Sequence, residues 1–288
     1  MNNPIGIFYT YYPFAGQVDW AGCIRRAAAS GADSIEISSM RLVREPEATR
    51  RIILETAAEA GIRLSFTTGL PDGCDTSSED PDERQRGVDF IAKNIRLVRE
   101  MGGHTVGGVF HGRNHPQSMG RFALKERRLE HAAQALRETG RIAADYGVIL
   151  ADEAVNRFES DMINTVGEEL DFLARVDSPN VMALLDTFHM NIEEDDLPAA
   201  IRSAAGRIAH VHLAENNRKL PGNGHLDWPV ILRALREVGY AGFLTMESFT
   251  TPYQPISDSM CIWRDMRSDT LDEDVRRAVA LLRRARND

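Results

Sequence analysis

The sequence predicts a single (β/α)8 barrel spanning residues 1–288, and three observations predict it. Short apolar runs alternate with longer amphipathic stretches along all 288 residues. Five of the helical patterns close on glycine just before the next apolar run. No Pro- or Ser-rich linker breaks the alternation, and about 250 residues is the usual size of one such barrel.

Taken in order, Ile5–Tyr9 is the first apolar run and the first strand. From Trp20 to Ser30 the apolar positions Ala21, Ile24, Ala27 and Ala28 share one stripe at helical spacing. Ser34–Ile37 and Arg63–Thr67 are the next two strands. Between Asp82 and Met101, Val88, Ile91, Ile95 and Val98 recur every three or four residues, which predicts a long helix. Thr105–Val109, Val148–Glu153, Val181–Asp186, Ile208–Leu213 and Gly242–Glu247 complete eight strands. Gly31, Gly61, Gly102, Gly147 and Gly239 follow helical patterns, where a residue without Cβ closes the last turn left-handed at no steric cost. The alternative, a doubly wound open sheet, usually carries a glycine-rich phosphate loop after an early strand. Neither GxGxxG nor a Walker-type motif occurs.

Composition narrows the function. Hydrophobic residues make up 43% and charged residues 27%, which suits a globular protein and excludes disorder as the overall state. With 34 Lys plus Arg against 43 Asp plus Glu, the net charge is −9. A general nucleic-acid or membrane-surface binder carries a basic excess more often. The three cysteines, Cys23, Cys74 and Cys261, are too far apart for a disulfide framework or a close-spaced zinc cluster. They point to a reducing, cytoplasmic setting. The N-terminus MNNPIGIFYTYYPF lacks the pattern of a signal peptide, and no stretch of ~18 uncharged apolar residues predicts a membrane span.

A barrel of this kind works at the C-terminal ends of its strands. Strand five ends in Glu153 and strand six in Asp186; strand seven carries His212 and strand eight ends in Glu247. Singly, each is as readily a surface side chain just past a strand. Together they bring three carboxylates and one imidazole to one rim, a hard anionic set that suits an octahedral divalent ion such as Mn²⁺, Mg²⁺ or Co²⁺. Without a cation such a set repels itself, and some members must take up protons.

Glu159 follows Glu153 by six residues, His189 follows Asp186 by three and Arg218 follows His212 by six, all in segments running from strand into loop, where binding groups concentrate. His111, just past strand four, is a further candidate for substrate contact. His210 shares a face with His212, one layer deeper, and reads as packing or as support behind the ligands, while His104, His115, His131 and His225 read as surface or loop. No GxSxG elbow and no cysteine with an adjacent base supports nucleophilic acyl transfer.

The segments DEAVNRFE, the Asn164-Thr165 pair, LDTFHMNIEE, HVHLAENNR followed by PGNGH, and GYAGFLTMESF resemble the ketose 3-epimerase family of xylose-isomerase-like barrels. The likeness is dense over Val148–Phe249; earlier, GIFYTYY and the SSEDP of Ser77–Pro81 carry it. The resemblance implies that Glu153, Asp186, His212 and Glu247 bind one divalent metal, Mn²⁺ first with Co²⁺ or Mg²⁺ as alternatives. It implies that Glu153 and Glu247 are also the acid/base pair, that Glu159, His189 and Arg218 hold the O1–O3 end of the sugar, and that Phe8 lines the pocket. It implies a ketose as substrate and a homodimer or homotetramer; nothing in the sequence suggests a phosphate-specific site, so a free sugar is expected. The loops YPFAGQ and HGRNHP depart from relatives that carry tryptophan there; this chain's tryptophans are Trp20, Trp228 and Trp263.

The expected reaction is C3 epimerisation of ketoses such as D-tagatose, D-fructose or L-ribulose, by deprotonation and reprotonation through a metal-stabilised cis-enediolate. Three other readings share the barrel: a different sugar or inosose isomerase or dehydratase, a non-catalytic sugar-binding barrel, and a three-zinc DNA-repair endonuclease, which needs more rim histidines.

Overall fold

A computed structural model describes residues 2–14, 16–113, 122–254 and 256–286. The chain runs β1 (Ile5–Phe8), α1 (Trp20–Ala29), β2 (Ser34–Ser38), α2 (Ser39–Leu42), α3 (Glu47–Ala60), β3 (Arg63–Thr67) and α4 (Pro81–Glu100). It continues through β4 (Thr105–Gly108), α5 (Phe122–Tyr146), β5 (Ile149–Glu153), α6 (Val166–Val176), β6 (Val181–Asp186), α7 (Thr187–Glu193) and α8 (Leu197–Ser203). It ends with β7 (Ile208–Leu213), α9 (Trp228–Glu237), β8 (Leu244–Met246) and α10 (Leu271–Ala285). The strands close into a barrel in sequence order, so the open-sheet alternative falls. Closure is made by β1 pairing parallel with β8, Gly6 opposite Thr245.

The chain sorts into two compact units, one of Met1–Ile37, Glu45–Ser65 and Val211–Asp288, the other of Ser38–Arg44 and Phe66–His210. In the first, Ile5, Ile7, Ile24, Ile35, Ile37, Leu235 and Leu282 are fully buried. In the second, Ile91, Ile95, Val106, Leu136, Leu150, Val181 and Leu184 are, and α4 packs along α5. Each such side chain contributes roughly 1.5–3 kcal/mol by leaving water.

Helix starts follow side-chain chemistry. Asp19, Asp80, Asp196 and Asp227 each accept a backbone N–H from the first turn of α1, α4, α8 and α9. Thr165 and Glu168 form a capping box at α6, the Asn164-Thr165 pair of the sequence. Gly61 (φ 66°) and Gly147 (φ 62°) end their helices left-handed, as the pattern predicts.

Beyond one-residue shifts at the ends of β1, β2 and β4 and at the start of β5, two local expectations change. Strand eight begins at Leu244 rather than Gly242, because the carbonyls of Gly242 and Phe243 accept bonds from Asn3 Nδ2 and Tyr240 OH instead of extending the sheet. Its last residue is Met246, so Glu247 lies one position past the strand. His189 sits in a helix, α7, not a loop, because Asp186 caps that helix. His115 lies outside the described residues.

Candidate active site

Glu153 is the last residue of β5 and Asp186 the last of β6; both are buried. The Asp186 side chain divides its work. Oδ1 accepts the N–H of Phe188 at 2.8 Å and so starts α7, while Oδ2 lies 3.6 Å from Nε2 of His189 on that helix. Helix geometry therefore carries His189 back over the carboxylate that caps it.

His189 is buried, and its Nδ1 accepts the backbone N–H of Asn156 at 3.2 Å. A backbone N–H only donates, so the ring proton resides on Nε2. Nε2 thus offers a donor on the side of Asp186 and of Glu153, whose Oε1 is 3.9 Å away. Asn156 also donates from Nδ2 to Glu159 Oε1 at 3.0 Å, and its Oδ1 accepts the N–H of Phe158. This one buried asparagine orders the turn after β5. Arg157 and Glu193 tie the same turn to the end of α7, and their hydrogen bonds hold the Glu193 carboxyl below its usual range.

His212 is fully buried on β7. Its Nε2 donates to Glu36 Oε1 at 2.8 Å, which leaves the lone pair on Nδ1. Glu36, in the middle of β2, also accepts from Ser65 Oγ at 3.1 Å and Thr245 Oγ1 at 3.0 Å. Nδ1 lies 3.5 Å from Glu247 Oε2, so an imidazole lone pair faces a carboxylate. A cation or a proton reconciles two such acceptors.

Glu247 is anchored by its own N–H, which donates to Leu213 O. Its Oε2 accepts from Arg218 at 2.6 Å. Arg218 is buried, takes a left-handed backbone (φ 62°) and lays its guanidinium 5.1 Å from the Phe249 ring centre. That conformation is costly for a side chain with Cβ, and surrounding bonds impose it. Arg218 N–H donates to Glu215 O, and the buried Glu215 carboxylate gathers Gly222 N, Leu226 N and Trp228 Nε1 into one compact loop. Phe8, at the end of β1, meets Phe249 edge-on at 5.9 Å.

Glu153, Asp186, His212 and Glu247 are all buried, and each offers a ligand atom within 4.8 Å of the others. Three carboxylates and the Nδ1 lone pair make an acceptor-only set that fits a hard divalent cation. His111 lies with Asp152 and Glu169. His210 is buried, and His104 and His225 are exposed, as the sequence suggests. Sequence reasoning passed over Glu36, Asn156 and Glu215. Only Asn156 carried a local signal, an asparagine just past a strand where its side chain can mimic a turn.

Comparison with known proteins places these observations in context. The family model described as xylose isomerase-like TIM barrel matches residues 24–284. A D-psicose 3-epimerase of Agrobacterium fabrum is 33% identical over 282 residues, covering 96% of this chain and 97% of that protein. An L-ribulose 3-epimerase of Mesorhizobium japonicum is 38% identical over 216 residues, covering 74% and 72%. A crystal structure of D-psicose 3-epimerase with D-tagatose from Clostridium cellulolyticum H10 superposes with a TM-score of 0.92 at 32% identity, covering 98% of this chain and 99% of that one.

Proposed function

Because this chain belongs to the ketose 3-epimerases of the xylose isomerase-like TIM barrel family, and is thus an isomerase, we propose that it interconverts free ketoses that differ at C3. The observation that carries this reading is the buried set of Glu153, Asp186, His212 and Glu247. Those four side chains would hold one divalent cation, Mn²⁺ first, with Co²⁺ or Mg²⁺ as alternatives. When bound, the cation supplies Lewis acidity at the C2 carbonyl and a template for the sugar.

The chain's own groups do the rest. Inverting C3 means removing its proton on one face and returning one on the other. Glu153 and Glu247 come from non-adjacent strands of the closed barrel, so one serves as base and the other, protonated, as acid. The roles exchange for the epimeric substrate. His189, through Nε2–H, and Arg218 donate to O2 and carry the negative charge that develops in the cis-enediolate. Glu159 holds the hydroxyls at the O1–O3 end, and Phe8 lines the apolar side. We place the enzyme in the cytoplasm as a homodimer or homotetramer.

The test is product identity. The purified protein with Mn²⁺ is incubated with D-fructose, D-tagatose or L-ribulose, and products are resolved by chromatography and NMR. A C3 epimer, with solvent deuterium entering at C3, is expected. An aldose would assign the chain to aldose–ketose isomerisation, and sugar binding without turnover would make it a binding module.

A further inference from the structure

Between β7 and α9 the chain turns back on itself, and one side chain sets the shape of that turn. Glu215, two residues past the end of β7, is 1% exposed. Its Oε1 accepts the Gly222 N–H and the Trp228 Nε1–H, each at 2.7 Å, and its Oε2 accepts the Leu226 N–H at 3.2 Å. A carboxylate presents acceptors only, so it can take three such donors away from water. Gly224 passes close by: a Cβ there would stand 2.3 Å from Oε2. Both oxygens are thus spent on the loop, and Glu215 acts through what the loop carries rather than on substrate.

The loop carries Arg218. The Arg218 N–H donates to Glu215 O and the Glu215 N–H to Lys219 O, both at 2.9 Å, which closes a tight turn with Arg218 left-handed at φ 62°. Asn217 braces the turn from both sides, its Oδ1 accepting the Lys219 N–H at 3.1 Å and its Nδ2 donating to Asn223 O at 2.9 Å. From that backbone Arg218 reaches the segment after β8 twice. Its carbonyl accepts the Phe249 N–H at 3.1 Å, and its Nη2 donates to Glu247 Oε2 at 2.6 Å. A residue with Cβ stays left-handed only where its surroundings hold it there.

We propose that Glu215 is a positioning residue for the reaction and acts through Arg218. The inference rests on the epimerase reading above. By gathering Gly222, Leu226 and Trp228, Glu215 folds residues 215–228 into the shape that keeps Arg218 left-handed and aims its guanidinium at Glu247. Trp228 belongs to the same device, since its indole ties the loop to the first turn of α9. Arg218 serves charge that builds only as the proton moves, so misplacing it slows turnover more than it weakens binding.

Kinetics and crystallography test it. Glu215→Gln keeps the size of the side chain but turns one acceptor into a donor, which faces N–H groups. Its kcat is expected to fall roughly 10–100-fold with KM held within about twofold, the scale of displaced charge-assisted hydrogen bonds. In an Arg218→Ala background the same substitution should cost less than about twofold, because the residue it acts through is gone. Unchanged kcat, or an equal loss in both backgrounds, overturns the inference and leaves Glu215 as a prop for the fold. A crystal structure of Glu215→Gln gives a second answer that needs no turnover: a guanidinium drawn away from Glu247 supports the inference, and one still in place overturns it. Absence of a C3 epimer with wild type would sink the epimerase reading, and the crystal structure would still decide what holds Arg218. Should Glu215→Gln not fold, Trp228→Phe removes a single donor from Oε1 and keeps an apolar ring. A smaller loss of kcat that disappears in the Arg218→Ala background supports the inference, and a loss that persists there overturns it.

Discussion

Glu36 accepts the Nε2 proton of His212 at 2.8 Å, and both side chains are completely buried. The bond orients the imidazole and sends its lone pair toward Glu247. Removing the charge from such a supporting carboxylate typically costs about 10–100-fold in metal affinity. Glu36→Gln should weaken Mn²⁺ binding by that amount in a calorimetric titration. Unchanged affinity would show that Glu36 merely fills space.

Glu153→Gln and Glu247→Gln each remove a proposed proton carrier together with a proposed ligand. Loss of an acid/base group alone costs on the order of 10²–10⁴-fold. Both variants should exceed that range in kcat while keeping the circular-dichroism spectrum of the parent. Near-normal turnover in either would end the acid/base assignment.

Asn156→Ala removes the side chain that braces both His189 and Glu159. The backbone N–H of residue 156 still reaches His189 Nδ1, so the tautomer survives while the positioning loosens. A lost hydrogen bond of about 1 kcal/mol should lower kcat/KM by roughly tenfold or less, mostly through KM. A loss as deep as that of the Glu153 variant would mean that Asn156 touches the reacting atoms itself.

Burial pushes the Cys23 thiol up to about 12, whereas Cys261 is exposed. At pH 8 the thiolate fraction of Cys23 is then on the order of one part in ten thousand, and Cys261 should react with a disulfide reagent far sooner. Because the fold favours the protonated thiol, stability should fall as pH climbs past 9.0, the ordinary thiol value. Rapid labelling of Cys23 in the native protein would contradict the packing around α1.

Thr165→Ala deletes half of the capping box of α6 and should cost about 1 kcal/mol, read as a lower denaturant midpoint. An unchanged midpoint would mean that Glu168 alone suffices.

Much of the barrel was legible because each element obeys a local rule. Arg63–Thr67, Val181–Asp186 and Ile208–Leu213 begin and end where alternation and turn residues say they should. The late start of β8 was not legible, since it depends on Asn3, 239 positions from Gly242. Glu153, Asp186, His212 and Glu247 stood out as charged or imidazole side chains at the ends of apolar runs. Glu36 did not, because it reads as an ordinary residue inside SIEIS; its partners Ser65, His212 and Thr245 lie 29, 176 and 209 positions away.

Asp186 assigns its two oxygens to different tasks, and this separates the assembly of the pocket from its loading. The cap on α7 needs only Oδ1, so His189 is already perched and its proton already aimed before any ion arrives. An apoprotein stripped by chelator should consequently keep a ready-made sugar cradle, and regain activity on adding the ion without refolding. A carboxylate at this one place is both hinge pin and electrode, which makes Asp186→Asn the substitution that discharges the rim while sparing the helix.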